Sequence, residues 1–559
     1  MRRIASLVLI LCLCFSGPLS AAEPLPVEVI EAVKKLKAAS RDERTALYQI
    51  MADHGDGRLV PLLEAFSAGM LEEREGKIVI YQFSVEVPGS DEKLFPAVDA
   101  FTLEPILSSD GKPMMKASLP EDPWKAHRLE RRAIGDLVAA LSLAHPDPDT
   151  RKQAIIDVGD RGDASVLPAL KKQLAKKPDG SMLAVLEETI ARIELLHGED
   201  AQVKLAAAKK LLEVATSRSS STLSKAREQA VEAKDETLLA AIDEVIAAQA
   251  SYQTKVRWAQ NTFAGLSQGS ILILLALGLA IIFGVMGVIN MAHGEFMMVG
   301  AFTALYVCEF FKKNMPESMF DYYFIAALPA AFLVAGFVGY MCEMLVIRRL
   351  YGRPLETLLA TWGISLILIQ TARAMFGDTN SLTPPSWLVG GWEIAPDFVL
   401  PLNRLFIIVF CFVCVFAVYF IIGKTKLGLL LRATTQNRPM ASCLGVPTRR
   451  IDGLTFGLGA GLAGLAGVAV PLFDKINPQM GQGYIVESFM VVVVGGVGKL
   501  VGTIISGLGI GFISKYLEPI IPGTGSVIYT KIIILLLIIV ILQWRPSGLF
   551  PAKGRLAEN

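Results

Sequence analysis

Asn290, His293 and Glu295 fall within six consecutive residues of GVMGVINMAHGEFMMVGA, a stretch otherwise apolar or glycine. An ionisable side chain is costly in such a run, so it is usually paired or functional. Two chemistries fit. The groups line or gate a path for a polar solute, or His293 and Glu295 pair and lock the chain. Gly284, Gly287, Gly294 and Gly300 surround them and permit close helix packing or a break. Thr361 and Glu487 are polar groups of the same kind in later apolar runs. Glu343 lies one turn from Arg348 and is placed to snorkel.

Other chemistry is missing from the spelling. A phosphate-cradling loop needs G-x-x-x-x-G-K-[ST]. Gly498-Lys499 is followed by Leu500, and Gly423-Lys424-Thr425 has Val418 at the first glycine position. The chain therefore carries no ATP site, and active transport needs a partner subunit. Cys411 and Cys414 form a CxxC inside the wholly apolar Phe406–Phe420 run, which reads as packed thiols. No metal site, cofactor or catalytic set is expected. The net charge of +1 gives no pull toward nucleic acid.

These groups sit in a chain of two unlike parts. Its 559 residues are 52% hydrophobic and 19% charged, against roughly 45–50% and about 25% for a soluble protein. Charge is dense from Glu23 to Arg257, whereas Phe263–Phe311 holds only Glu295 and Glu309. Apolar runs at about 264–284, 296–311, 323–347, 355–376, 405–423, 453–473, 484–514 and 526–543 are long enough to span a bilayer. The 484–514 run overshoots a ~30 Å core as one helix, so it reads as two spans hinged at Gly495, Gly496 and Gly498. That makes about nine spans. The inside loops then carry thirteen basic residues: Arg348, Arg349, Arg353, Lys424, Lys426, Arg432, Arg438, Arg449, Arg450, Lys499, Arg545, Lys553 and Arg555. The outside loops carry five, namely Lys312, Lys313, Arg404, Lys475 and Lys515. This bias places the C-terminus in the cytoplasm and residues 23–257 outside.

The first residues agree. Arg2 and Arg3 precede an apolar run, Ile4–Phe15, and Ser20, Ala21 and Ala22 follow it, so residues 1–22 read as a secretory signal. In the exported part, Asp42–Leu63 and Asp149–Leu170 align without gaps, with identities at Asp42/Asp149, Arg44/Arg151, Asp53/Asp160, Gly55/Gly162, Asp56/Asp163, Pro61/Pro168 and Leu63/Leu170. Each spells helix, Gly-Asp turn, helix near a proline, similar to HEAT-type hairpins that stack to bury one face. Ser181–Leu212 reads as a third pair, and Ile78–Val87 alternates as a strand or hairpin insert. The fold class expected is all-α: a polytopic helical membrane domain, 258–555, behind an exported HEAT-like helical domain, 23–257.

The inside segment Gly423–Asp452 has six basic residues and no acidic one before Asp452. Its pattern G-x-x-x-R-A-x-x-x-N-x-x-x-A-x-x-x-G, at Gly428, Arg432, Ala433, Asn437, Ala441 and Gly445, resembles the ATPase-contacting loop of the branched-chain amino acid/urea family of ABC permeases. VINMAHGEF (288–296), LTFGLGAGLAGLAGVAVPLF (454–473) and SFMVVVVGGVGKLVGT (488–503) are similar to the same family. The exported domain and ESFMVVVVGGVG look like its urea-type member; Lys499, where an uncharged or Gln-like residue is expected, departs from the pattern.

The resemblance implies a multi-pass subunit of a bacterial inner membrane with a periplasmic N-terminal domain. It works in lipid with a second homologous permease, two ATPase subunits docked on Gly428–Gly445, and a periplasmic solute-binding protein. Urea would pass beside Asn290, Thr361 and Glu487; a branched-chain amino acid or short amide is the alternative. A passive channel needs no such inside loop, and a sensor anchor needs far fewer spans. The topology predicts that a reporter fused after Gln436 is active only as a cytosolic reporter, and one after Ala250 only as an exported one. The reverse result at either site overturns it.

Overall fold

The computed structural model describes residues 26–550 apart from 38, 40, 55, 75–76, 82–84, 87–92, 103–104, 107–113, 117–123, 125, 127–129, 144–146, 176–179, 524 and 547. The proposed signal, 1–22, and Gly55 lie outside the described residues. Two compact units divide the chain, Met1–Gln253 and Thr254–Asn559.

In the first unit, α1 (Val27–Lys35), α2 (Arg41–His54) and α3 (Val60–Ala68) precede a sheet, and α4 (Glu130–Ser142), α5 (Pro148–Arg161), α6 (Leu167–Ala175), α7 (Gly180–His197), α8 (Ala201–Val214) and α9 (Ser220–Ala233) follow it. The two aligned segments take the same form: α2 and α3 flank a 3-10 turn at Gly57–Leu59, and α5 and α6 flank one at Ala164–Val166. Asp147 caps α5 by accepting from Thr150 N at 2.9 Å, and Gly162 ends it at φ +68°. The sheet corrects the all-α expectation. Five antiparallel strands, β1 (Leu71–Arg74), β2 (Lys77–Tyr81), β3 (Val85–Glu86), β4 (Lys93–Asp99) and β5 (Met115–Lys116), pair in the order β1-β2-β4-β3 with β5 on β4. Only β2 and β3 fall within the alternating Ile78–Val87 run. Charged LEER and the proline inside KLFPAVD hid β1 and β4. Arg192 of α7 is buried between Asp160 (2.7 Å) and Thr222 (3.3 Å), so one guanidinium ties α5, α7 and α9.

In the second unit, α10 (Glu236–Met286, which begins in the first unit) leads into α11 (His293–Asn314), α12 (Tyr323–Leu345) and α13 (Pro354–Phe376). A hairpin, β6 (Gly391–Ala395) and β7 (Phe398–Pro401), separates these from α14 (Leu402–Lys424). Next come α15 (Lys426–Gln436), α16 (Arg438–Cys443), α17 (Thr448–Ala469), α18 (Met480–Gly495), α19 (Leu500–Leu517) and α20 (Ser526–Trp544). Among the described residues, eight helices are long and apolar enough to cross a membrane. The ninth expected span, α18, is apolar but has 16 residues, about 24 Å at 1.5 Å each. The 484–514 run does break, between Gly495 and Leu500, where Gly496 (φ +91°) and Gly498 (φ +74°) adopt backbone that other residues rarely take. The C-terminal segment braces this break: Leu549 N donates to Val494 O at 2.8 Å.

The spanning segments differ in burial. Those of α10 and α17 are 78% buried and that of α11 is 61%, against 28% for α12, α13 and α14 and 17% for α20. Small residues set that order. Gly300 of α11 lies directly on the backbone of Gly464 in α17, and Gly294 lies on Gly481 of α18; a methyl group at either position would strike main chain. Such contacts drive association where lipid is as apolar as the helices. Gly300→Leu should lower stability by about 3 kcal/mol or more, since main chain cannot yield. Gly363→Ala, with open space around it, should not. Thermal melts of the purified chain in detergent check this; equal midpoints for the two variants contradict it.

Candidate translocation pathway and coupling segment

The connector 287–292 brings two of the expected residues together. Asn290 Oδ1 accepts from Ala292 N at 3.1 Å and turns the chain into α11. Met291 N donates to Thr361 Oγ1 at 3.2 Å, fastening the connector to α13. Glu295, in the first turn of α11, is fully buried, with Ser365 of α13 close by. Thr357, Thr361 and Ser365 recur every fourth residue and are all buried, so α13 turns one polar stripe toward α11. Asn290 Nδ2 and Glu295 Oε2 remain without partners. The result is a polar seam between α11 and α13. Its i, i+4 Thr/Ser signal was present in the sequence but was hidden by the apolar residues between.

His293 belongs elsewhere. Two residues along a helix turn the side chain by about 200°, so His293 and Glu295 point apart and the expected His–Glu pair does not form. His293 Nε2 donates to Leu275 O of α10 at 3.0 Å, while Nδ1 is buried without a partner. The imidazole stands edge-on to Phe296, which stands edge-on to Phe456 of α17. Glu487 also departs from the seam. Its Oε1 meets Lys531 Nζ of α20 at 2.8 Å, a pairing the apolar reading of 526–543 overlooked. Cys411 and Cys414 are buried free thiols.

The segment Gly423–Asp452 folds as a helix–turn–helix ahead of α17. Thr425 Oγ1 accepts from Gly428 N at 3.3 Å and opens α15, while Gly428 presses against the carbonyls of Ile421 and Ile422. Asn437 Oδ1 caps α16 through Met440 N at 3.0 Å, Ala441 is buried, and Gly445 closes the turn at φ +85°. Four motif residues thus shape the segment. Arg432 is exposed, and so are Leu429 (60% exposed), Met440 (56%) and Leu444 (78%), which the motif did not single out. Large apolar side chains and an arginine exposed on one short segment are the makings of an interface. Glu343 does not snorkel. It is fully buried and clamped by Arg348 at 2.8 and 3.2 Å, with Tyr351 Oη donating at 2.7 Å. Burial first, then that hydrogen bond, pushes the Tyr351 phenol up and keeps it a donor.

The second unit is thus a bundle of helices apolar enough to span a membrane, with a polar seam between α11 and α13 and a folded connector between α14 and α17. The family described as branched-chain amino acid transport system / permease component matches residues 261–542, half of the chain, and the chain belongs to that family. It is 28% identical over 296 residues to the high-affinity branched-chain amino acid transport system permease protein BraD of Pseudomonas aeruginosa, covering 52% of this chain and 94% of that one. It is 30% identical to the probable branched-chain amino acid transport permease protein LivH of Methanocaldococcus jannaschii (50% and 88% covered). It is 24% identical to LivM of Escherichia coli, a permease protein of the same kind of system (50% and 68%). No solved structure matches.

His293 and Glu295 should respond oppositely to substitution. His293→Ala strands the Leu275 carbonyl and should cost about 2 kcal/mol. Glu295→Gln replaces a buried carboxyl that has no cation beside it with a neutral group of the same shape and should leave the melting midpoint unchanged or raised. Melting midpoints of the two purified variants in the opposite order contradict the assignment.

Proposed function

We propose that this chain is the membrane-spanning permease subunit of an ATP-driven importer. The observation that carries the reading is the folded α15–α16 segment, with Arg432, Leu429, Met440 and Leu444 presented outward on a chain that has no phosphate loop. Two ATPase subunits dock there, on a face shaped by Gly428, Ala433, Asn437, Ala441 and Gly445. A second homologous permease completes the path, and a periplasmic binding protein delivers the solute. The N-terminal unit lies outside the cell membrane, the C-terminus inside. The solute passes along the α11–α13 seam, beside Asn290, Thr361 and Glu295, with Gly495, Gly496 and Gly498 as the hinge; His293 and Glu487 hold helices in place.

The relatives' names support a branched-chain amino acid as the solute, and none of the three carries urea. A second reading, urea, draws on two observations. The unit before residue 254 lies outside the family match, which begins at 261. The seam offers hydroxyls, an amide and one carboxylate but no cation for a substrate carboxylate. Uptake of labelled leucine and of labelled urea in a deletion strain separates the two, each against unlabelled competitor. Arg432→Glu should lower uptake of the transported solute about tenfold or more while the protein still inserts. Uptake near the wild-type rate makes the segment an ordinary basic connector.

A further inference from the structure

At the cytosolic end of the bundle, five side chains close a ring that the proposed docking role does not use. Arg438 of α16 pairs with the fully buried Asp452 of α17, and its guanidinium lies over the Tyr351 ring, 4.9 Å from the centroid. Tyr351 Oη donates to Glu343 of α12, and Arg348 holds Glu343 by two nitrogens. The same Arg348 nitrogen that meets Glu343 Oε2 also reaches Arg449 O at 3.3 Å, at the start of α17, returning to the helix where the ring began. Two carboxylates of no exposure are thus matched by two arginines that remain part-exposed at 27% and 38%.

We propose that this ring welds the docking helix α16 to α12 and α17, so that the displacement of α16 by the ATPases moves those two spans as one body. Arg438, Asp452 and Tyr351 are positioning residues for transport. The inference rests on the reading of α15–α16 as the docking segment.

Three observations support it. A buried ion pair is a poor source of net stability compared with apolar packing, while it holds geometry strongly. The α12–α17 contact beside the ring is tight: a methyl group at Gly453 would lie 2.7 Å from Tyr340 and 3.1 Å from Glu343. Beyond it, α17 lies on α11 at Gly464 and Gly300, and α11 carries Glu295 into the seam. Packed, inextensible contacts therefore run from α16 to the seam. Apart from Arg438, α16 meets the bundle through a short helix with most of its residues exposed.

The test uses the full importer in liposomes, with uptake and ATP hydrolysis measured in the same vesicles. The probe is labelled leucine or labelled urea, whichever the wild type takes up. In Arg438→Gln, in Asp452→Asn and in the double variant, the ATPases should still co-purify and hydrolysis should stay within about twofold, while solute moved per ATP falls about tenfold. The double variant should be no worse than the poorer single, because both remove one bond. An unchanged solute-to-ATP ratio, or losses that multiply, overturns the weld. Loss of ATPase co-purification in Arg432→Glu alone concerns the docking face and leaves the ring's ratio as a separate measurement. Should the Arg438 variants fail to accumulate, Tyr351→Phe keeps the ring and removes one hydroxyl. It should lower the ratio about threefold; no change there overturns the proposal.

Discussion

Main chain resting on main chain is the constraint from which the membrane unit follows. Where Gly300 meets Gly464 and Gly294 meets Gly481, no side chain separates the helices. Van der Waals contact at that distance replaces the hydrophobic drive that lipid cannot supply. It presses α11 onto α17 and α18, beside the more deeply buried α10. Packed in this way, the residues at the start of α11 are buried whatever their polarity. Asn290, His293 and Glu295 have to find partners inside the protein, and the directions of a helix decide which. His293 is handed to α10, where the Leu275 carbonyl accepts its hydrogen bond. Glu295 is handed to α13, where only hydroxyls wait.

The charges elsewhere show how unusual that last arrangement is. Glu343 has Arg348, Asp452 has Arg438, and Glu487 has Lys531. Among the described residues of the spans, Glu295 is the buried carboxyl with no cation beside it. A buried carboxyl with an unsatisfied oxygen is tolerated poorly by a fold that only needs to be stable. Under the proposed function, a solute bringing N–H groups would satisfy it.

The spans were legible because lipid imposes a crude and continuous requirement, a run of about twenty apolar residues. The break at Gly496 and Gly498 was legible for a related reason: 484–514 was too long to be one span, and glycine marks where it gives. Partnering was not legible. His293 and Glu295 look paired when written in a line, and they part because a helix rotates between them. Asn437 and Gly445 look like contact residues in the motif, yet the first caps a helix and the second ends one. Lys531 disappears in a hydropathy average, though it answers Glu487 from another helix. The sheet of the first unit was half hidden because β1 and β4 contain charges or proline that break the alternation. Local pattern carries the elements; which side chains meet depends on rotation and register between them.

The unequal burial of the helices bears on where the proposed pathway would open. Moving α11 would break main-chain contacts to two helices and the hydrogen bond from His293 to Leu275. Moving α13 breaks far less. Its buried face is Thr357, Thr361 and Ser365, whose hydroxyls already bond to carbonyls of their own helix at Thr357 and Thr361, while Leu355, Leu359, Trp362 and Ile367 face outward. Of the hydrogen bonds across this stripe, separation would free the Met291 N–H that Thr361 Oγ1 accepts, a donor that water can satisfy. In the proposed pathway the rigid partner of the seam would therefore be the glycine-packed α11, tied through α17 to the Arg438–Asp452–Tyr351–Glu343–Arg348 ring. The yielding partner is α13, joined to that same ring only through the short stretch from Arg348 to Tyr351 that precedes it.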